Sequence, residues 1–384
     1  MQRLPASVLA ALPRATRRRA RAEWSNDGGT TWTAARVGGA EVKPDRTAEC
    51  RWTATVELLD APTGRAGINQ AATMLRLFED VAPPRGSWYP VPAGMYFVDK
   101  TKRTLRGRGL RVELLGREEA LREASLPVAR TTPQDIARNV VAQLVGEALP
   151  AAPIAWRTGA DDQHVVPPVV IDEDRWAALS GGQDATGTDT GIAPSLGAEI
   201  YADARGVIVV TPVPTLTDDP VWRLPYGQGV AAPERETNAE GLINLWVISG
   251  DAGTGEEETV IGPVFVWDDD PQSLTYAGPD PVGDPLAPQR LGLPVRVRTA
   301  RYSSPLVTSV EQGYTVGRAK LADSLGIESS LSFSTYSHPG LEPGDVVAVE
   351  VEQGQWERHI IDACPRTLGA ASMSCQTRTS TRRL

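Results

Sequence analysis

The sequence predicts a mainly β protein with an α+β insert: two β-barrel domains flanking a small α+β domain. Three observations predict it. Short apolar runs of period two, separated by Gly, Pro, Asn and Asp turns, fill the first third of the chain and return near its end. Between them Ile136, Val140 and Leu144 recur at helical spacing. The 384 residues include 36 Gly and 31 Pro, a turn-rich composition that favours many short strands. The expected division is 1–125 for the first barrel with an N-terminal lead-in, 126–235 for the α+β domain, and 236–384 for the second barrel. That last domain is expected to carry a long Asp/Pro/Gly loop (268–288) and one helix (309–325).

In the first region, Ala20–Trp24 leads into Asn26-Asp27-Gly28-Gly29, a turn that permits positive φ, and then into Thr30–Val37. Arg51–Leu58 alternates, with Trp52, Ala54, Val56 and Leu58 on one face. Met74–Phe78, with Arg76 at its centre, is the next strand. Gly94–Val98 and Leu110–Leu115 follow around the basic turn Lys100–Arg108. Short strands this closely spaced suit a barrel or sandwich.

In the middle region, Thr132 is the expected helix N-cap and Pro133 the first helical residue, with Pro150 as the stop. Val141 and Val145 widen the Ile136, Val140, Leu144 stripe enough to dock on a sheet. Asp172–Leu179 predicts a shorter helix, and Gly181–Gly191 a loop. Ala198–Ala202, a turn at Asp203–Gly206 and Val207–Val213 form a hairpin.

In the last region, Ile243–Ser249 and Val260–Trp267 are strands around an acidic hairpin tip, Asp251–Glu258. Ser309 and Gln312 have capping-box spacing. Val310, Tyr314, Gly317, Leu321 and Leu325 form the stripe of that helix, and Gly326 ends it. Leu331–Tyr336 is a strand. Leu341-Glu342-Pro343-Gly344-Asp345 then predicts a type II turn, with Pro fixing one φ and Gly supplying the positive one. Val346–Val351 and His359–Ile361 are strands, and Gln376–Leu384 is a polar, basic final strand expected to fray.

Composition narrows function. With 41% hydrophobic and 23% charged residues the chain can bury a core. A net charge of −9, from 39 basic and 48 acidic residues, disfavours general duplex-DNA binding, which needs Lys and Arg facing phosphates. Cys50, Cys364 and Cys375 are odd in number and form no CxxC pair, so no disulfide framework is expected. His164, His338 and His359 lie far apart, so no zinc site is expected. No apolar run has the length of a membrane helix. Arg14, Arg17, Arg18, Arg19 and Arg21 follow the mildly apolar stretch Leu4 to Leu12, the reverse of a secretion signal's order. The cluster reads as a solvated lead-in or, functionally, as a contact for an acidic partner surface.

Chemistry is sparse. Gly250–Glu256 resembles a phosphate loop but lacks its Lys-Ser/Thr, so it is a hairpin tip. Asp268-Asp269-Asp270 lacks EF-hand spacing and reads as a solvated loop. His338-Pro339-Gly340 enters a turn, and no G-x-S-x-G elbow occurs. Glycosidase carboxylates can lie far apart in a chain, so sequence does not decide on such a pair, and among 48 acidic residues a chance pair carries no weight. Ten Trp stand against four Phe. Trp52, Trp246 and Trp267 read as core residues. Trp24, Trp32, Trp88, Trp222 and Trp356 lie near turns, where they seal a barrel end or an interface, with a sugar-binding platform as the alternative. No catalytic, cofactor-binding or metal-binding residue is assigned, and a structural or assembly role without turnover is expected.

The order of these pieces resembles the bacteriophage tail hub (baseplate hub) family, in its actinobacterial tail-tip form. The helix Ser309–Leu325, the strand Leu331–Tyr336 and the Leu-x-Pro-Gly-Asp turn into Leu341–Val351 match in order. Ile243–Asp251, with Asn244 and Gly250, looks like the family's N-x-v-x-v-x-G strand. Gly197–Pro214 followed by Pro220-Val221-Trp222 is similar to its middle hairpin. Gly94–Val98 and Arg111–Arg117 resemble strands of its first barrel. The resemblance runs from about residue 20 onward. It implies a homotrimeric ring that adapts a six-fold tail tube to a three-fold tip around the DNA path. The implied partners are distal tail, tail-tube and tip or fibre proteins, with DNA passing through without specific binding and no membrane insertion. The implied place is the tail tip of a virion assembled in a bacterial cytoplasm. A receptor- or carbohydrate-binding tail module is the alternative, and a cell-wall hydrolase a remoter one.

Overall fold

The computed structural model describes the chain apart from residues 15, 65, 104–108, 151, 158–161, 172–173, 183–187, 228, 238–242, 252–259, 274, 287–295, 326–328 and 380–384. After a short helix α1 (Ala6–Leu9), six strands form the first barrel: β1 (Arg17–Ser25), β2 (Thr33–Pro44), β3 (Trp52–Leu59), β4 (Met74–Ala82), β5 (Tyr89–Arg103) and β6 (Gly109–Gly116). They run in the order β1-β4-β5-β6-β3-β2, and β2 returns to pair with β1 at Ala22↔Ala35 and Trp24↔Thr33, which closes the shell. The expected alternation holds: Trp52, Ala54, Val56 and Leu58 all point into the barrel. Gly28 and Gly29 take φ of 69° and 88° at the β1–β2 turn, where a side chain would be strained. The basic turn after Lys100 begins inside β5, and its remainder at 104–108 lies outside the described residues.

The middle segment contains α2 (Glu118–Glu123), β7 (Arg130–Thr131), β8 (Asp135–Ile136), α3 (Ala137–Ala148), β9 (Ile154–Trp156), β10 (Val165–Val166), β11 (Val170–Ile171), α4 (Arg175–Ser180), α5 (Ile192–Ser195), β12 (Ala198–Ala202) and β13 (Ile208–Pro212). The three-stranded sheet β12-β13-β9 packs against the helices through Val140, Val141, Leu144, Val145, Ile208 and Val210. The helix start differs from expectation. Thr132 is buried and bonds Val169, its N–H donating at 2.9 Å and its hydroxyl accepting at 3.1 Å. Two small strand pairings, β7–β11 and β8–β10, take up the residues before the helix, so α3 opens at Ala137 behind Ile136. Of the second predicted helix, 172–173 lie outside the described residues. Asp174 caps the rest, accepting from Trp176 N at 2.7 Å and Ala177 N at 3.2 Å.

The remaining elements are β14 (Trp222–Leu224), β15 (Ala231–Thr237), β16 (Leu245–Asp251), β17 (Val260–Trp267), β18 (Thr299–Ser304), α6 (Val310–Leu325), β19 (Ser329–Tyr336), β20 (Val346–Glu352), β21 (Gln355–Ala363), β22 (Arg366–Thr367) and β23 (Ser372–Thr379). Six of them make a half-barrel in the order β14-β20-β21-β23-β19-β15, while β22 crosses to pair with β2 of the first barrel. The sheet β17-β16-β18 forms a separate layer with α6 on it. The chain is thus mostly β, with a closed six-stranded barrel, a half-barrel and few helices.

Two local expectations are corrected. The face of α6 is rotated: Val310 and Tyr314 are exposed, whereas Gln312, Gly313, Val316 and Gly317 are buried. A Cβ at Gly313 would sit 3.0 Å from the Val264 side chain, and one at Gly317 would overlap Val266, so the helix docks through its small residues. The final strand β23 runs between β21 and β19 with Met373, Cys375, Thr377, Arg378 and Thr379 buried. The hairpin tip at 252–259, the helix stop Gly326 and the tail 380–384 lie outside the described residues. No helix among the described residues is long and apolar enough to cross a membrane.

Candidate functional site

The charged residues concentrate where the units meet. Arg46, in the β2–β3 turn, donates from Nε to Glu199 at 2.8 Å and from Nη1 to Asp323 at 3.0 Å. Arg51 reaches the other Glu199 oxygen at 3.0 Å and stacks on the Tyr201 ring at 3.5 Å. Arg378 of β23 pairs with Asp323 at 2.9 Å and Asp362 at 2.7 Å. Alternating charges therefore run from the first barrel through the middle hairpin and α6 to the half-barrel. Burial pushes the Glu199 and Asp323 carboxyls up, but the guanidinium groups of Arg51 and Arg46, and of Arg46 and Arg378, outweigh it and hold both low. At Asp362 burial wins and its carboxyl is raised.

A second buried seam ties the barrel to the turn after β19. Glu79 of β4 accepts from Arg18 at 2.9 Å and lies 3.5 Å from Arg366. Arg18 also donates to Ser337 O at 2.5 Å, and Arg366 to Pro339 O at 3.2 Å. Arg18 thus leaves the basic cluster for the interior, while Arg17, Arg19 and Arg21 face outward along β1.

Beside the first seam lies a cleft of about 400 Å³ lined by Arg51, Glu118, Arg122, Trp176, Glu199 and Tyr201. Its charges are engaged in structure apart from Glu118 Oε2, which is buried without a hydrogen-bond partner. Arg122 pairs with Glu49 at 2.6 Å and Glu119 at 2.8 Å, and Glu118 accepts from Ala202 N at 3.0 Å. Elsewhere, His338 is buried against Trp222, ring centroids 4.7 Å apart, and burial lowers its pKa to about 3. His359 accepts or donates at Thr377 Oγ1, 3.0 Å away, and is likewise lowered by burial. All three cysteines are buried free thiols, and burial pushes Cys364 up to about 12. Among the described residues no group of three or more His, Cys, Asp or Glu could hold a metal.

The motif residues have structural duties. Asn244, fully buried, donates to Thr275 O at 3.0 Å and accepts from Arg298 N at 2.7 Å, pinning the long loop to the start of β16. A Cβ on Gly250 would overlap the Val307 carbonyl. Gly344 has φ of 89°, and Asp345 N closes the turn onto Glu342 O at 3.1 Å, as the Pro-Gly pair predicted. Ser309 accepts from Gln312 N at 3.2 Å, but the Gln312 side chain returns to Thr308 N at 2.8 Å, one residue beyond the expected box. The tryptophans divide much as expected: Trp52 is core, Trp222 donates to Tyr336 at 2.7 Å, and Trp88 and Trp356 remain exposed. The seams were not read from the sequence, because their partners are up to 319 positions apart.

No protein-family model matches the chain, and no curated protein matches it. Solved structures do. A tail protein from Neisseria meningitidis superposes with a TM-score of 0.59 at 11% identity, covering 94% of this chain and 96% of that one. The 43 kDa tail protein of prophage MuSo2 from Shewanella oneidensis gives 0.57 at 13% identity, covering 94% and 98%. Prophage tail protein gp18 from Listeria monocytogenes gives 0.50 at 9% identity, covering 93% and 94%. The fold of this chain is that of prophage tail proteins, across nearly its whole length.

Proposed function

We propose that this chain is a structural hub protein of a phage tail tip, acting without catalytic turnover. The observation that carries the reading is the tail-protein fold, shared over 94% of the chain with full-length partners. In this reading three modules, near 1–125, 126–235 and 236–384, give each subunit one closed barrel and one half-barrel, the half-barrel also drawing β14 and β15 from the end of the middle segment. Three subunits would present six β shells around a hole, which adapts a six-fold tube to a three-fold tip. Three chains at −9 carry −27, and an acidic lumen repels DNA phosphates and lets the genome slide. The partners are further copies of the chain, distal tail and tail-tube proteins, and tip or fibre proteins. The location is the virion tail tip, after assembly in the host cytoplasm. The buried seams support the reading, since they fix the two β shells relative to each other. The sugar-binding alternative finds Trp222 turned inward onto Tyr336 and Trp88 flanked by Arg17 and Arg19. Mass photometry of purified protein tests the proposal: a species at three times 41.1 kDa is expected, and a monomer at micromolar concentration contradicts it.

A further inference from the structure

A cyclic ring needs two different patches on each subunit that fit one another. The first is the outer face of β1 and β4. Arg17 and Arg19 flank Trp88, with guanidinium carbons 5.0 and 4.5 Å from the ring centroid. Arg21 lies over Phe78 at 4.0 Å, and Arg76 over Trp32 at 4.2 Å. Asp80 bonds Arg19 at 2.9 Å from beneath and is only 4% exposed, whereas Arg19 is 55% exposed and Trp88 37%. Glu23, 17% exposed, pairs with Arg21 and Arg76, so four cations stand over two carboxylates and solvent meets a face with a surplus of cations and aromatic rings. Arg17 donates to Gly86 O at 2.6 Å and Arg19 to Asp80, and stacking on Trp88 holds both guanidinium groups flat, a form suited to a further carboxylate.

The second patch is the tip of the long loop between β17 and β18. Val282 and Leu286 are 46% and 54% exposed there, beside exposed Asp280, and exposed Asp269 stands at the loop's base. The tip is ordered before any contact. Asp280 accepts from Gly283 N at 2.9 Å and Asp284 N at 2.8 Å, Pro279, Pro281 and Pro285 limit its backbone, and Asn244 and Asp268 anchor the base. One patch is basic and aromatic, the other acidic and aliphatic. They stand on different sheets of the chain.

We infer that the Arg/aromatic face of β1–β4 on one subunit receives the acidic, apolar segment 279–286 from the loop after β17 of a second copy. This rests on the ring proposed above and names its contact. Aromatic and Arg side chains in a desolvated patch are the residue types that carry protein interfaces.

The test measures self-association by sedimentation velocity for the full chain and four variants. R17E/R19E and D269R/D280R should each weaken association at least tenfold. The combined charge swap, R17E/R19E/D269R/D280R, should return to within threefold of the parent. R17Q/R19Q, which leaves no new charge beside Asp80, guards against misfolding and should weaken association severalfold, as should 0.5 M salt. An oligomer unchanged by all four variants overturns the inference and leaves the ring standing. A parent that stays monomeric overturns both. Binding of a single-stranded oligonucleotide that is lost in R17Q/R19Q, with association unchanged, reassigns the face to nucleic acid and also overturns it.

Discussion

Glu199 is the most informative residue to perturb, because one carboxylate holds two cations from the first barrel. In E199Q, Arg46 keeps Asp323 at 3.0 Å, but Arg51, 6% exposed, loses its ion pair and keeps the Tyr201 ring, a 3.5 Å contact to Pro343 O and the nearby Glu118 carboxyl, whose charged form burial disfavours. Breaking a buried pair by removing one partner costs about 3–5 kcal/mol, since the remaining charge stays desolvated. With an unfolding entropy of about 2 cal/mol/K per residue, that corresponds to a melting shift of about 4–6 °C for a chain this long. Urea unfolding followed by tryptophan fluorescence measures the cost directly. R51M should cost a similar amount, and E199Q/R51M less than the sum, with a coupling above about 1 kcal/mol. The sign with pH is fixed. Glu199 is held below its ordinary value of 4.5, so its contribution is complete above that value and fades as pH falls through the lower folded one. The gap between parent and E199Q should therefore narrow below about pH 4.5. A cost under about 1 kcal/mol, or no coupling to Arg51, would refute the idea that this seam holds the units together.

Two further perturbations follow from the same physics. Gly250→Ala should destabilise by at least about 1–3 kcal/mol because its methyl meets the Val307 carbonyl, whereas Gly146→Ala, with open space around it inside α3, should stabilise by about 0.5–1 kcal/mol; equal effects in urea melts would contradict the packing. His338 has its pKa lowered to about 3 by burial, so the unfolded chain takes up its proton first and stability falls as pH drops from about 6.5 toward 3, by up to about 1.4 kcal/mol per unit. An NMR titration should find its imidazole neutral at pH 5, and a midpoint near 6.5 would show that it is solvated.

What the sequence revealed was local. Trp52, Ala54, Val56 and Leu58 declare their strand because one face is wet and the other dry. Pro343 and Gly344 declare their turn because few other pairs satisfy its dihedrals. What it hid was non-local. Nothing in Trp222–Leu224 or Ala231–Thr237 announces that these strands pair with residues near 347 and 331. The α6 stripe was right at Gly317 but wrong at Val310 and Tyr314, because the docking face runs through Gly313 and Val316, where a glycine gives periodicity no apolar side chain to count. Thr132 has the chemistry of a cap, but a strand partner at Val169 claimed it first. Of the surface now assigned to assembly, the arginine cluster was visible, while the rings that order it came from three separate segments.

Electron cryomicroscopy of the assembled protein bears most directly on the account. It should show three-fold end views in which six β shells, alternating closed barrels and half-barrels, surround an open channel. A dimer, an open filament or a solid particle without a central hole would contradict it.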